Sequence, residues 1–350
     1  MQVFFGRVMS ETVMAAAEAE RLKEILSGCR CAVAVAHVAP DGDAVGSTLA
    51  LQGVLSGMGK EAYVMLPDSI PATLAFLEGS ERILVYSENR AECDALLGRA
   101  DLVACLDFNE SKRVDTMQEA LLASPARKIM IDHHLYPQPF CELTVSRPEV
   151  SSTSLLLYGI LNRIGWRDRI DRRVASAIYT GMMTDTGNFS YNSNDPAIYA
   201  AISDLLSEGI DKDYIYTKAC NTFSADRLRL CAYAIYEKME LLPGGAALIS
   251  LSRSELNAYR YVKGDTEGLV NEPLSIEGVR VSAFLREEKG MVKVSLRSKG
   301  DFAVNVIASE HFGGGGHRNA AGGEFYGSLQ EACNRFREVI PGYLDAAASR

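Results

Sequence analysis

Four short segments of this 350-residue chain bring histidine and aspartate together at spacings suited to metal chemistry. The first, His37-Val38-Ala39-Pro40-Asp41-Gly42-Asp43, closes the apolar run CAVAVA and spaces one imidazole and two carboxylates by four and then two residues. Asp107 ends the run LVACL; Asp132, His133 and His134 follow Lys128-Ile129-Met130-Ile131; Asp185 ends GMMT. Each acid follows an apolar stretch, where a carboxylate without a balancing cation is costly. Imidazole and carboxylate together suit a borderline-hard divalent ion such as Mn²⁺ better than a thiolate-loving zinc site, and two such ions would balance several carboxylates at once. All five histidines, at 37, 133, 134, 311 and 317, fall in these segments or in one C-terminal stretch, SEHFGGGGHR.

The elements that must hold these residues are legible from periodicity. Short apolar runs (CAVAVAH, AYVML, RILVY, LVACLD, KIMID) alternate with helical patterns such as AVGSTLALQGVLSGMG and AECDALLG. That alternation predicts a parallel sheet covered by helices on both faces, with ligands at the carboxyl ends of the strands. Helical patterns continue through SSTSLLLYGILNRIG, where Ser151, Ser152 and Thr153 read as capping residues, and RRVASAIYTGMMTD. The polar NFSYNSNDP marks a boundary near residue 195, so the first domain is expected over 1–195 and a helical linker over 196–240. A smaller α/β domain is expected over 241–350, built on the strand-like runs AALISLS, VRVSAFLRE and VKVSLRS, the helical AVNVIASEHF and a glycine tract.

This second domain carries the positive charge and the glycines. Arg297, Ser298 and Lys299 follow a strand, and Gly313, Gly314, Gly315 and Gly316 lead into His317 and Arg318. Glycine lets backbone N–H groups approach a phosphate, and arginine grips its oxygens in pairs, so this stretch is read as binding phosphate or a terminal nucleotide. Arg113 and Arg286 are further candidates for substrate contact.

A net charge of −9 argues against wrapping long nucleic acid. The eight cysteines form no CxxC pair and read as reduced thiols. The opening MQVFFGRVMS lacks a signal-peptide core, and no apolar run approaches the roughly 18 residues of a membrane span, so a cytoplasmic protein is expected. No GxGxxG follows the first strand and no GxxxxGK[ST] occurs, which excludes a dinucleotide-cofactor domain and a P-loop.

HVAPDGDAVGS, the aspartate of CLDF, IDHH and TGMMTDTGNF resemble, in that order, the four motifs of the DHH phosphoesterases. SLRSKGDFAVNVIASEHFGGGGHRNAAGG resembles the DHH-associated C-terminal domain, so the likeness spans about residues 30 to 325. It implies an α/β fold: an N-terminal parallel-sheet domain with helices on both faces, a linker helix, a smaller C-terminal domain with a mixed sheet, and an active site in the cleft between them. It implies that Asp43, Asp107, His133 and Asp185 hold one Mn²⁺ and that His37, Asp41 and Asp107 hold the other, with Asp107 bridging and Mg²⁺ or Co²⁺ as alternatives. His134 is expected to face the substrate or to support the ligands, and Asp132 to orient a histidine or the loop; with Asp107 they form the expected catalytic set.

Within the family the pattern is most similar to short two-domain enzymes that degrade very short RNA and remove the 3′-phosphate of 3′-phosphoadenosine 5′-phosphate. Expected partners are those substrates and a second copy of the chain, with no long duplex and no membrane. Competing readings are a phosphodiesterase for cyclic-dinucleotide products or another small phosphoester, and a nucleotide-binding regulator without activity. Pyrophosphatases of the superfamily lack the GGGGH stretch, and its long-DNA nucleases carry extra domains.

Overall fold

The computed structural model describes residues 13–348, so the opening MQVFFGRVMS lies outside the described residues. The chain divides into two compact units between Thr222 and Phe223. In the first, the helices are α1 (Ala16–Gly28), α2 (Gly42–Gly57), α3 (Arg90–Arg99), α4 (Gln118–Ala123), α5 (Thr153–Arg163), α6 (Arg172–Asp185), α7 (Pro196–Ser207) and α8 (Lys212–Cys220). Its strands are β1 (Cys31–Val35), β2 (Glu61–Leu66), β3 (Leu84–Val85), β4 (Leu102–Leu106), β5 (Arg127–Asp132) and β6 (Leu143–Ser146). They form one sheet in the order β3-β2-β1-β4-β5-β6, every pair parallel.

Strand residues alternate between two cores, as the period of two demands. Ala32, Ala34, Ala104, Ile129 and Ile131 pack under α2, α5 and α6 on one face, while Cys31, Val33, Val35, Cys105 and Met130 pack against α3 and Leu121 of α4 on the other. Burial on both faces explains why these strands read as unbroken apolar runs. The chain runs outward from β1 through β2 to β3, then returns to place β4 beside β1. The carboxyl ends of β1 and β4 therefore flank a topological switch point, where open α/β sheets bind ligands.

α2 and α6 lie unusually close. A Cβ on Gly46 of α2 would stand 2.5 Å from the Ala177 carbonyl oxygen of α6, so only glycine allows this approach. The contact sets the first turn of α2, with Asp43, against the last turn of α6, with Asp185.

The second unit contains α9 (Ala225–Tyr236), α10 (Arg253–Ala258), α11 (Val304–His311) and α12 (Leu329–Ala348). Its strands β7 (Met239–Leu242), β8 (Ala246–Leu251), β9 (Val281–Glu287), β10 (Val292–Ser298), β11 (Gly315–His317) and β12 (Ala320–Phe325) form a sheet ordered β11-β12-β10-β9-β8-β7. It is mixed, with β8 and β9 parallel and the other pairs antiparallel. Residues 196–240, expected as one helical connector, are shared out: α7 and α8 pack on α6 of the first unit, and α9 packs on β7 and β8 of the second.

Candidate metal centre

Each expected ligand sits where an element of the first unit ends. β1 delivers His37, which is buried; its Nδ1 lies 2.8 Å from the Val38 carbonyl oxygen, a contact that puts the proton on Nδ1 and turns Nε2 inward. Asp41 caps α2, accepting from the Asp43 and Ala44 N–H groups at 3.0 Å each. Asp43, in the first turn of α2, is fully enclosed, and its carboxylate accepts N–H donors from Thr153 at 2.6 Å and Ser154 at 2.8 Å. Those donors are unspent backbone groups at the start of α5, where the helix dipole favours an anion.

Asp107 follows β4 with φ +63, a left-handed conformation that is uncommon for a residue with a Cβ and recurs at functional sites. Its Oδ1 accepts the Thr153 hydroxyl at 2.9 Å. Nε2 of His37 stands 3.5 Å from Asp107 Oδ2 and 4.0 Å from Asp41 Oδ1. From the end of β5, His133 sets Nδ1 3.1 Å from the Val150 carbonyl oxygen and Nε2 3.5 Å from Asp107 Oδ1 and 3.6 Å from Asp185 Oδ2. His134 is arranged differently: Asp132, wholly buried, accepts its backbone N–H at 3.1 Å and lies 2.7 Å from its Nδ1. Asp132 thus fixes the ring of His134 and belongs to none of the groups close enough to share an ion.

Three such groups occur among the described residues: His37, Asp41 and Asp107; Asp43, His133 and Asp185; and Asp107, His133 and His134, with ligand atoms within 4.8 Å of one another. Only nitrogen and carboxylate oxygen donors are offered, the set for Mn²⁺ or Mg²⁺ rather than for a thiolate-bound metal. Electrostatics agree. Burial disfavours charge on His37, but its contact with Asp107, helped by Asp41, raises its pKa to about 9. Against the same penalty, Asp107, Asp43 and Asp185 raise His133 to about 9. Burial opposes ionisation of Asp107, yet His37, His133 and His134 hold it down at about 2. Burial pushes Asp43 well up, reinforced by Asp107 and Asp185. Burial, opposed by His133 and supported by Asp107 and Asp41, drives Asp185 up to about 7. A bound cation would balance carboxylates crowded until some resist ionising.

Thr153, expected only as a cap, and Ser154, not singled out by the sequence, are both residues of the site. Ser152 does cap α5, accepting from the Leu155 N–H at 3.1 Å. Gly181 of α6 completes the packing: a Cβ there would meet Ser154 Oγ at 2.0 Å and Asp43 Oδ1 at 2.7 Å. Arg113 stands beside the His37 loop, its carbonyl accepting the Val38 N–H at 2.7 Å, and its Nε is buried without a hydrogen-bond partner among the described residues.

The expected substrate-binding residues of the second unit are less uniform. Arg286 donates to Tyr261 Oη at 2.6 Å and Thr266 Oγ1 at 3.0 Å, and pairs with Glu288. Ser298 is buried, its hydroxyl donating to the Phe302 carbonyl at 2.6 Å and accepting from Asn319 Nδ2 at 2.9 Å. Both side chains are occupied in holding neighbouring turns. Arg297 ends the same strand, donating to the Leu296 carbonyl, and Lys299 is exposed. The tract Gly314–His317 is not a loop but largely the edge strand β11; Gly314 lies so near β12 that a Cβ would stand 1.9 Å from the Gly322 carbonyl oxygen. His311 lies apart from that tract's tip, 3.0 Å from Tyr343 Oη.

Comparison with known proteins finds relatives along both units. The N-terminal domain of the DHH family matches residues 32–182, and the DHHA1 domain matches residues 256–344. The bifunctional oligoribonuclease and PAP phosphatase NrnA of Thermus thermophilus is 31% identical over 313 residues, 87% of this chain and 87% of that one. The cyclic-di-AMP phosphodiesterase GdpP of Bacillus subtilis is 26% identical over 343 residues, 94% of this chain but 50% of that one. The crystal structure of an exopolyphosphatase-related protein from Bacteroides fragilis superposes with a TM-score of 0.94 at 48% identity, covering 96% of this chain and 98% of that one. With both of its modules matched, this chain belongs to the DHH family of phosphoesterases.

Proposed function

We propose that the protein is a Mn²⁺-dependent phosphoesterase that hydrolyses oligoribonucleotides of a few residues to mononucleotides and converts 3′-phosphoadenosine 5′-phosphate to AMP. The observation that carries this reading is Asp107, whose two carboxylate oxygens lie 3.5 Å from the inward nitrogens of His37 and His133 respectively. One carboxylate between two imidazoles is the arrangement of a ligand shared by two ions. His37, Asp41 and Asp107 would hold one, and Asp43, Asp107, His133 and Asp185 the other. When bound, such a pair lowers the pKa of an attacking water and balances charge on the phosphoryl oxygens.

The chain supplies the rest. Val38 and Val150 carbonyls set the tautomers of His37 and His133, so each offers Nε2. Thr153 and Ser154 hold Asp43 and Asp107 in position through hydrogen bonds. Asp132 keeps a proton on Nδ1 of His134, whose Nε2 then exchanges a proton or hydrogen bond with the substrate. The unspent Nε of Arg113 makes that residue the best first-unit candidate for gripping a phosphate. In the second unit, Arg297, Lys299, Gly314, Gly315, Gly316 and His317 are the proposed substrate contacts, with Ser298 and Arg286 acting through the turns they brace. A cytoplasmic homodimer is part of the same proposal.

The NrnA relative supports short RNA and phosphoadenosine phosphate as substrates, and the GdpP relative favours a second reading, a phosphodiesterase for cyclic dinucleotides or their linear products. Chromatography of a 5′-phosphorylated RNA dinucleotide, 3′-phosphoadenosine 5′-phosphate and a cyclic dinucleotide, each incubated with protein and Mn²⁺ and with EDTA controls, separates them. Mononucleotide and AMP, both abolished by EDTA, are expected. Turnover of the cyclic dinucleotide alone establishes the second reading, and nucleotide binding indifferent to Mn²⁺ with no turnover points to a regulator.

A further inference from the structure

Two residues beyond His134, the chain exposes an aromatic ring that nothing in the fold requires. Tyr136 is 86% exposed and its neighbour Leu135 50%, beside a site otherwise lined with charge. Tyr136 also holds φ +61, a left-handed conformation that burdens a bulky residue. The ring thus gains little from burial, and its backbone is strained.

The loop is nevertheless pinned on both sides of Tyr136. Asn109, two residues after Asp107, donates its side-chain amide to the Leu135 carbonyl at 2.6 Å, and its own carbonyl accepts the Gln138 N–H at 2.7 Å. Gln138 Nε2 donates to Glu110 at 3.2 Å, and Ser146 Oγ donates to the His134 carbonyl at 3.2 Å. Pro137 stiffens the segment further. These bonds tie the loop after β4 to the loop after β5, so the two loops that carry Asp107 and His134 also fix the tyrosine. Two peptide units keep the Tyr136 Cα within about 7–8 Å of the His134 Cα.

We propose that Tyr136 is a stacking shelf for a nucleobase of the nucleotide being cleaved. This rests on the short-oligonucleotide reading above and extends it to how the base is held. An exposed, pre-set ring beside a phosphoester site binds the flat face of any base, because every base has one, and so favours nucleotides over other phosphoesters without reading their sequence. Fixing the backbone that carries the ring in advance lowers the ordering cost of the binding step, which is a reason to keep a strained backbone.

The test compares wild type, Tyr136→Ala, Tyr136→Phe and Tyr136→Gly on a 5′-phosphorylated RNA dinucleotide and on the same dinucleotide with both bases removed. Tyr136→Ala is expected to raise KM for the dinucleotide about tenfold or more, the range of one lost stacking contact, and to leave KM for the abasic compound unchanged. Tyr136→Phe keeps the wild-type KM. Tyr136→Gly shares the defect of Tyr136→Ala yet raises Tm, because glycine accepts the left-handed conformation.

Binding of a 2-aminopurine dinucleotide to EDTA-treated protein gives a readout independent of turnover: stacking quenches its fluorescence in wild type and Tyr136→Phe but not in Tyr136→Ala. An unchanged KM for the dinucleotide in Tyr136→Ala, an equal rise for both compounds, or quenching that survives the loss of the ring overturns the shelf. A wild type that leaves both compounds uncut would instead sink the functional reading, and the fluorescence then decides the shelf on its own.

Discussion

The two units present their candidate functional residues in opposite ways. In the first, acids and imidazoles from β1, α2, β4, β5 and α6 converge until their charges shift one another, and backbone donors of α5 hold the enclosed carboxylate of Asp43. In the second, arginine, serine and glycine candidates are spread along β9, β10 and β11, and two of them are occupied with the protein's own turns. The difference teaches that a centre for small ions must be built into the core, where geometry is over-determined. A surface for a larger anion is assembled from side chains that also have structural work.

Substitutions can break this contrast. The largest effect belongs to Asp107→Ala, expected to lower Mn²⁺-dependent turnover at least about a thousandfold, since Asp107 is the ligand proposed to be shared by two ions; near-wild-type rates at saturating Mn²⁺ would refute the shared-ligand assignment. By contrast, Lys299→Ala is expected to raise KM on the order of tenfold with kcat retained, a loss of binding alone, checked by steady-state kinetics. Gly181→Ala pushes a methyl into Ser154 and Asp43, and is expected to cost about 1–3 kcal/mol in denaturant unfolding and to weaken Mn²⁺ binding together.

A subtler pair concerns stability. Asp185→Asn should abolish tight ion binding yet raise the Tm of the metal-free protein at pH 8 by about 2–4 °C, because it removes a carboxylate that resists ionising. Ser298→Ala in the second unit should instead lower Tm with little change in kcat, because Asn319 and the Phe302 carbonyl each lose one hydrogen bond.

The smallest effect is the pH dependence of the metal-free protein. His37 and His133, raised from 6.5 to about 9, contribute stability that is full below pH 6.5 and is lost as pH rises through about 9. Asp185, raised from 3.8 to about 7, loses its contribution as pH rises through about 7, in the same direction. Asp107, lowered from 3.8 to about 2, acts oppositely, and its contribution disappears as pH falls through about 2. Thermal melts in EDTA should therefore show Tm falling from about pH 6.5 to 9, and Mn²⁺ should flatten that fall. A Tm that rises over this interval would contradict the charge balance described for the site.

Much of the first unit was legible because buried parallel strands are apolar on both faces and the charged residues stand out at their ends. The chain shows β1, β2, β4 and β5 as runs of this kind, and the histidines and aspartates that follow them meet in one place. The short β3, Leu84–Val85, and β6, whose burial alternates, carry weaker signals. Thr153 and Ser154 were illegible as site residues because their contribution is mainly backbone N–H, which any sequence supplies. In the second unit, β11 and β12 are glycine-rich strands that the sequence reading did not pick out, since close backbone approach leaves no side-chain periodicity. The division at Thr222 escaped notice because polar residues 188–196 look like a boundary, while the helices after them pack back onto α6.

The most direct test of the account is calorimetric titration of metal-free protein with Mn²⁺, for wild type and Asp107→Asn. Two ions per chain in wild type, with both sites weakened at least tenfold by the one substitution, are the result the shared carboxylate predicts. One ion per chain, or a variant that still binds two as tightly, would contradict it.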